Sequence, residues 1–114
     1  MKTFGVVDVF RDVLQTRAKE QIEVAWIYGS IAGTSDTSSS DIDLMVIGSL
    51  SFRELVSILK PIEENMQRPA NPTLYSIEEF RSKVHQKNSF LCNVLESEKL
   101  FIVGNKDDLV RLAQ

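Results

Sequence analysis

Two apolar runs separated by a polar loop constrain this chain more than any other feature. The first, Glu23-Val-Ala-Trp-Ile-Tyr28, is β-rich and stops at Gly29. The second, Asp41-Ile-Asp-Leu-Met-Val-Ile47, begins after a stretch of Gly, Thr, Ser and Asp over residues 31–40. Each run has the length and composition of a strand, and the segment between them reads as a loop. A buried strand normally excludes charge, yet the second run opens with Asp41 and Asp43. Side chains alternate faces along a strand, so these two aspartates share one face while Ile42 and Leu44 turn toward a core. At roughly 3.3 Å of rise per residue their carboxylates stand about 5–7 Å apart. Like charges at that spacing are tolerated when a cation lies between them.

The rest of the chain supplies helices around these strands. Phe4, Val6, Val7, Phe10, Val13 and Leu14 recur at helical spacing, which predicts a helix over residues 4–20. Ser51 with Glu54 fits a capping box that opens a helix reaching about Met66, with Pro61 expected to kink or split it. Residues 71–75, Asn-Pro-Thr-Leu-Tyr, read as a third strand, with Pro72 suited to an edge or a strand start. Ser76 and Glu79 form a second capping box, and residues 88–95 read as another short helix. Residues 99–103, Lys-Leu-Phe-Ile-Val, read as a fourth strand closed by Gly104, with Asn105 capping a last helix. Helices interleaved with four short strands make an α/β or α+β layer, in a single domain over residues 1–114.

Composition narrows the function classes. No apolar run approaches the roughly 20 residues that a membrane helix needs. Asp8, Arg11 and Asp12 come too early for a secretory signal, and the lone Cys92 cannot form an internal disulfide, so the expected location is the cytoplasm. A net charge of −3 argues against broad nucleic-acid binding. An oligomer is compatible with the sequence.

The chemistry converges on the loop between the first two strands. Mg²⁺ or Mn²⁺ prefers oxygen ligands, and Mg²⁺ is commonly held by one or two carboxylates plus substrate phosphates. Asp41 and Asp43 suit that role. Gly29 permits close backbone approach, and turn N–H groups with the Ser30 hydroxyl can hold phosphate oxygens. A nucleoside triphosphate with its metal is the implied ligand. A bare D-x-D is common among solvated carboxylates; the apolar flanks on both sides are what give this one weight. Ser40 reads first as a local hydrogen-bonding residue and second as a contact to metal-bound phosphates. Trp26 and Cys92 are expected in the core, Lys83 and Lys87 in solvent, and His85 in a polar helix. Tyr28 is placed to border a nucleotide, and Arg68 to reach a phosphate.

Gly29-Ser30, ten residues, then Asp41-Ile42-Asp43-Leu44 resembles the nucleotidyltransferase signature of the polymerase-beta-like superfamily. The similarity is greatest to the minimal single-domain type that pairs with HEPN helical proteins. It extends to the runs NPTLYSIEEF and NSFLCNVLESEKLFIVG, and so covers nearly the whole chain. The resemblance implies a small mixed sheet of about four strands with helices mainly on one face. It implies that Asp41 and Asp43 hold the metal, that Gly29 and Ser30 contact the triphosphate, and that a nucleoside monophosphate passes to a protein or small-molecule hydroxyl. Active members add a third carboxylate on a later strand; the matching residue here is Asn71, which cannot take a proton. Glu78 and Glu79 lie nearby but read more simply as charges complementing a helix dipole. Relatives often carry a basic residue after the motif alanine, where this chain has Ala32-Gly33-Thr34. Two functions follow: a metal-dependent nucleotidyltransferase, or an antitoxin-like module with weakened chemistry that binds a HEPN-type partner.

Overall fold

The computed structural model describes residues 3–18, 20–28, 42–67, 69–97 and 99–113. In chain order these form α1 (Thr3–Ala18), β1 (Ile22–Tyr28), β2 (Ile42–Gly48), α2 (Phe52–Met66), β3 (Ala70–Tyr75), α3 (Ile77–His85), α4 (Ser89–Glu96), β4 (Lys99–Val103) and α5 (Lys106–Ala113). The strands make one mixed sheet in the order β3-β2-β1-β4. β1 runs antiparallel to both β2 and β4, while β3 lies parallel to β2. The parallel pair is joined by the α2 crossover, as parallel neighbours require.

The two central strands are apolar on both faces, and this dictates the layering. Ile42, Leu44 and Val46 join a cluster with Phe10 and Leu14 of α1 and with Leu55, Ile58, Leu59 and Ile62 of α2. Val24, Trp26, Met45 and Ile47 join a second cluster with Phe80 of α3, Leu91 and Val94 of α4, and Leu109 of α5. Helices therefore cover both faces of the sheet. The expectation that they lie mainly on one face is corrected by the uninterrupted run Val24–Ile27: all four residues are 0% exposed, so neither side of β1 can face water.

Local chemistry sets the element ends. The Ser51 hydroxyl accepts from the Glu54 N–H at 3.1 Å, and the Glu54 carboxylate accepts from the Ser51 N–H at 3.5 Å. Pro61 neither splits nor ends α2, which is a single element through Met66. Both Pro61 and Ser57, whose carbonyl loses its N–H partner, are exposed, so water can satisfy that carbonyl. β3 is an edge strand, where Pro72 removes no ladder bond on its outer side. The opposite edge, β4, is shielded by α1, with Arg11 donating to the carbonyls of Phe101 at 3.2 Å and Ile102 at 3.4 Å. Gly104 closes β4 at φ +78°, and a Cβ there would lie 2.7 Å from Val24 Cγ2.

Candidate functional site

Asp43 is the described member of the aspartate pair. It is half-buried at the start of β2, on the face of Met45 and Ile47 and opposite Ile42 and Leu44, as strand alternation demands. Its register partners are Tyr28 on β1 and Asn71 on β3. The entry of β3 is pinned beside it: the Ala70 N–H donates to Glu63 Oε2 at 2.7 Å, and the Ile42 N–H donates to the Pro69 carbonyl at 2.9 Å. Two oxygen-bearing side chains, Asp43 and Asn71, thus stand side by side on one face of a sheet edge. Gly29, Ser30, Ser40 and Asp41, the other expected site residues, lie outside the described residues, as does Arg68.

Tyr28 spans this region. Its phenol comes close enough to the Thr73 side chain on β3 for a hydrogen-bonding interaction, so it reaches over β2 on the face of Asp43. Burial pushes the phenol above its ordinary value of 10.0, the Thr73 hydrogen bond pulls the other way, and the negative charge of Asp43 and the nearby Tyr75 push upward again. The ring also meets Phe90 of α4 edge-on, with centroids 6.4 Å apart and planes at 74°. Along β3, Lys83 Nζ lies 5.8 Å from the centre of the Tyr75 ring. Lys83 is half-buried, which corrects its expected place in solvent: Tyr75 offers its π face to the ammonium. The Tyr28–Thr73 and Tyr28–Phe90 contacts join residues far apart in sequence, so no local pattern reveals them.

The remaining candidates separate from the site. Glu79 is occupied by the second capping box, accepting from the Ser76 N–H at 3.0 Å, and Glu78 is exposed in the first turn of α3. His85 and Lys87 are exposed, and Trp26 is fully buried as expected. Cys92 is exposed, not core; Leu91 and Val94 set the buried side of α4, and Cys92 projects away from it. An apolar cavity of about 350 Å³, lined by Leu95, Phe101, Leu109 and Val110, sits on the β4 side, at the other edge of the sheet from Asn71.

Tyrosine ionisation reports on this geometry. Both tyrosines of the chain, Tyr28 and Tyr75, have raised pKa values, each chiefly through burial. The folded protein therefore holds its phenols protonated at pH values where the unfolded chain, titrating near 10.0, has begun to lose the proton. Their stabilising contribution is present below that pH and is lost as pH rises through the native value. Lys99 acts with the opposite sign. Burial lowers its pKa from 10.5, so stability from this group grows as pH rises toward the unfolded value. Tyrosinate absorbance isolates the phenols: its native midpoint is expected above 10.0, falling on denaturation and falling partway in Asp43→Asn, which removes the charge beside Tyr28.

The donor chemistry fits a hard divalent cation. A carboxylate and an amide carbonyl are both oxygen ligands of the kind Mg²⁺ or Mn²⁺ takes, and Asp41 lies two residues from Asp43 in sequence. Among the described residues, no three His, Cys, Asp or Glu side chains gather into a metal-binding group. No helix among them is long and apolar enough to cross a membrane.

The family model described as polymerase beta, nucleotidyltransferase matches residues 11–108. The chain belongs to this nucleotidyltransferase family. The match spans both Gly29-Ser30 and Asp41-Ile-Asp43, and it runs through β4 into α5. No match is found among curated proteins. Among solved structures, the nucleotidyltransferase chain resembles a mutant of the MntA–HpeT toxin–antitoxin with a TM-score of 0.64 at 12% identity, covering 94% of this chain and 80% of that one. It resembles a toxin–antitoxin with AMP-PNP with a TM-score of 0.61 at 15% identity, covering 94% and 80%. A third likeness, TM-score 0.61 at 12% identity and covering 98% and 81%, is to the tri-AMPylated HEPN toxin of Shewanella oneidensis in complex with MNT antitoxin. At such identities the likeness establishes a shared nucleotidyltransferase fold.

Proposed function

We propose that this domain binds a nucleoside triphosphate with Mg²⁺ and transfers the nucleoside monophosphate to a hydroxyl of a HEPN-type helical partner. The observation that carries this reading is the family match across residues 11–108, which holds Asp43 at the start of β2, in register with Tyr28 and Asn71. The tri-AMPylated toxin bound to MNT antitoxin supports a protein acceptor and a helical partner. The AMP-PNP of a second structural relative supports a triphosphate ligand. A reducing cytoplasm fits a chain with one free cysteine.

In this reading Asp41 and Asp43 hold the cation, Asn71 offers a neutral oxygen, and Gly29 and Ser30, with Ser40, receive the phosphates. The cation, when bound, offsets charge on the reacting phosphate and on the leaving pyrophosphate. The acceptor oxygen forms a bond to the α-phosphorus, the bond from that phosphorus to the bridging oxygen breaks, pyrophosphate leaves, and the hydroxyl proton passes to water. Asn71 cannot accept that proton. The β1–β2–β3 register fixes where Asp43 stands, the kind of fixed placement that lowers the barrier when the acceptor hydroxyl attacks in line.

One observation favours a second reading, in which the domain binds its partner with weakened turnover. Asn71 occupies the register position beside Asp43, and Glu79 is committed to its capping box. Mass analysis of a HEPN-type protein incubated with this domain, ATP and Mg²⁺ separates the two. A mass gain of one nucleoside monophosphate per modified site, with release of pyrophosphate, is expected. A stable complex without mass gain favours the binding module, and neither complex nor modification contradicts both readings.

A further inference from the structure

We propose that Phe90 is the stacking platform for the base of the bound nucleotide. The inference rests on the reading above, that the site at Asp43 takes a nucleoside triphosphate. Phe90 is 44% exposed, one of four large apolar side chains left in solvent among the described residues. Phe52 and Val56 lie on α2 and Val110 on α5, whereas Phe90 meets the side chain that borders Asp43. Leu91 and Val94 bury α4 against the sheet, so Phe90 projects off that buried side. The Asn88 side chain fixes the turn that carries it, accepting from the Leu91 N–H at 3.0 Å.

The ring is held in place. Its edge-on contact with Tyr28 has the geometry that aromatic pairs prefer. Tyr28 is in turn partly buried on β1 and set by its strand register against Asp43. One ordered aromatic side chain therefore separates the carboxylate from an open ring. For a nucleotide with its phosphates at Asp43, Phe90 is the exposed π surface that Tyr28 joins to that carboxylate. An exposed, immobilised ring gains from a stacked base without the entropic cost of being ordered first. Every base has a π face, so this platform is tolerant of base identity.

The test is calorimetric titration of the full chain in Mg²⁺ with two probes, ATP and inorganic triphosphate, which lacks a base. Phe90→Ala is expected to weaken ATP about tenfold, in line with one lost base–aromatic stack, and to leave inorganic triphosphate unchanged. Phe90→Trp is expected to retain the wild-type preference for ATP, and GTP and UTP are expected to lose affinity in Phe90→Ala as ATP does. The proposal is overturned if ATP affinity is unchanged in Phe90→Ala, or if both probes weaken equally. It is also overturned, with the phosphate site left standing, if the wild type binds inorganic triphosphate as tightly as ATP. Should the wild type bind neither probe, the nucleotide reading fails and the platform with it.

Discussion

Gly48→Ala is expected to cost about 3 kcal/mol of folding stability, the upper range for overpacking a site that cannot relax. Gly48 is buried at the end of β2, opposite Ile22. A Cβ at this position would stand 2.1 Å from the Gln21 carbonyl oxygen and 2.9 Å from Ile22 Cα, both of them backbone atoms. That carbonyl also accepts from the Ser49 N–H at 2.7 Å, so moving it breaks a hydrogen bond. The neighbouring ladder already carries an irregularity between Ile22 and Val24. The functional consequence lies at the other end of the same ladder, because the β1–β2 register is what sets Tyr28 opposite Asp43. Urea unfolding checks the prediction. A midpoint equal to that of the wild type would mean that the strand ends yield freely and that this register is not tightly specified.

Asp43→Asn is expected to reduce cation-dependent nucleotide affinity and transfer about a hundredfold or more while leaving the fold intact. Substitutions of residues that merely orient a metal ligand already cost 10–100-fold, and this one removes the charge of the proposed ligand itself. The replacement is nearly isosteric and keeps an oxygen in place, so the half-buried strand position loses no volume. Asn71→Asp is expected to act in the opposite direction. It places a second carboxylate in register with Asp43, where a cation can offset the repulsion, and supplies a group able to take the acceptor's proton. A rise in transfer of tenfold or more in Asn71→Asp would show that the neutral residue is what restrains turnover. No change, with the wild type already active, would mean that the proton leaves by another route.

Much of this architecture is written locally in the chain. The paired Ser-Glu boxes at Ser51 and Ser76 fix two helix starts because each satisfies its own first-turn N–H groups within four residues. The apolar blocks at residues 24–27 and 44–47 specify central strands, and their lack of alternation already contains the signal that both faces are covered. Pro72 reads correctly as an edge residue for the same local reason: it has no N–H to give. What escapes is whatever depends on tertiary phase. Cys92 and Leu91 are adjacent in a short apolar helix, and only docking decides which of them is buried. Lys83 looks like a surface charge until β3 brings Tyr75 beneath it. Tyr28 is visible as a candidate, but its reach across β2 to Thr73 and its contact with Phe90 arise from strand order and helix packing. For the site itself, the sequence motif nominates Gly29, Ser30, Ser40, Asp41 and Asp43, and of these Asp43 falls within the described residues.

The most direct measurement is calorimetric titration of ATP into the wild-type chain and Asp43→Asn, each with Mg²⁺ and with the cation chelated. The account predicts saturable binding to the wild type in Mg²⁺ that is lost on chelation and in Asp43→Asn, with the thermal midpoint of the variant no lower than that of the wild type. Equal ATP affinity in all four titrations would contradict it.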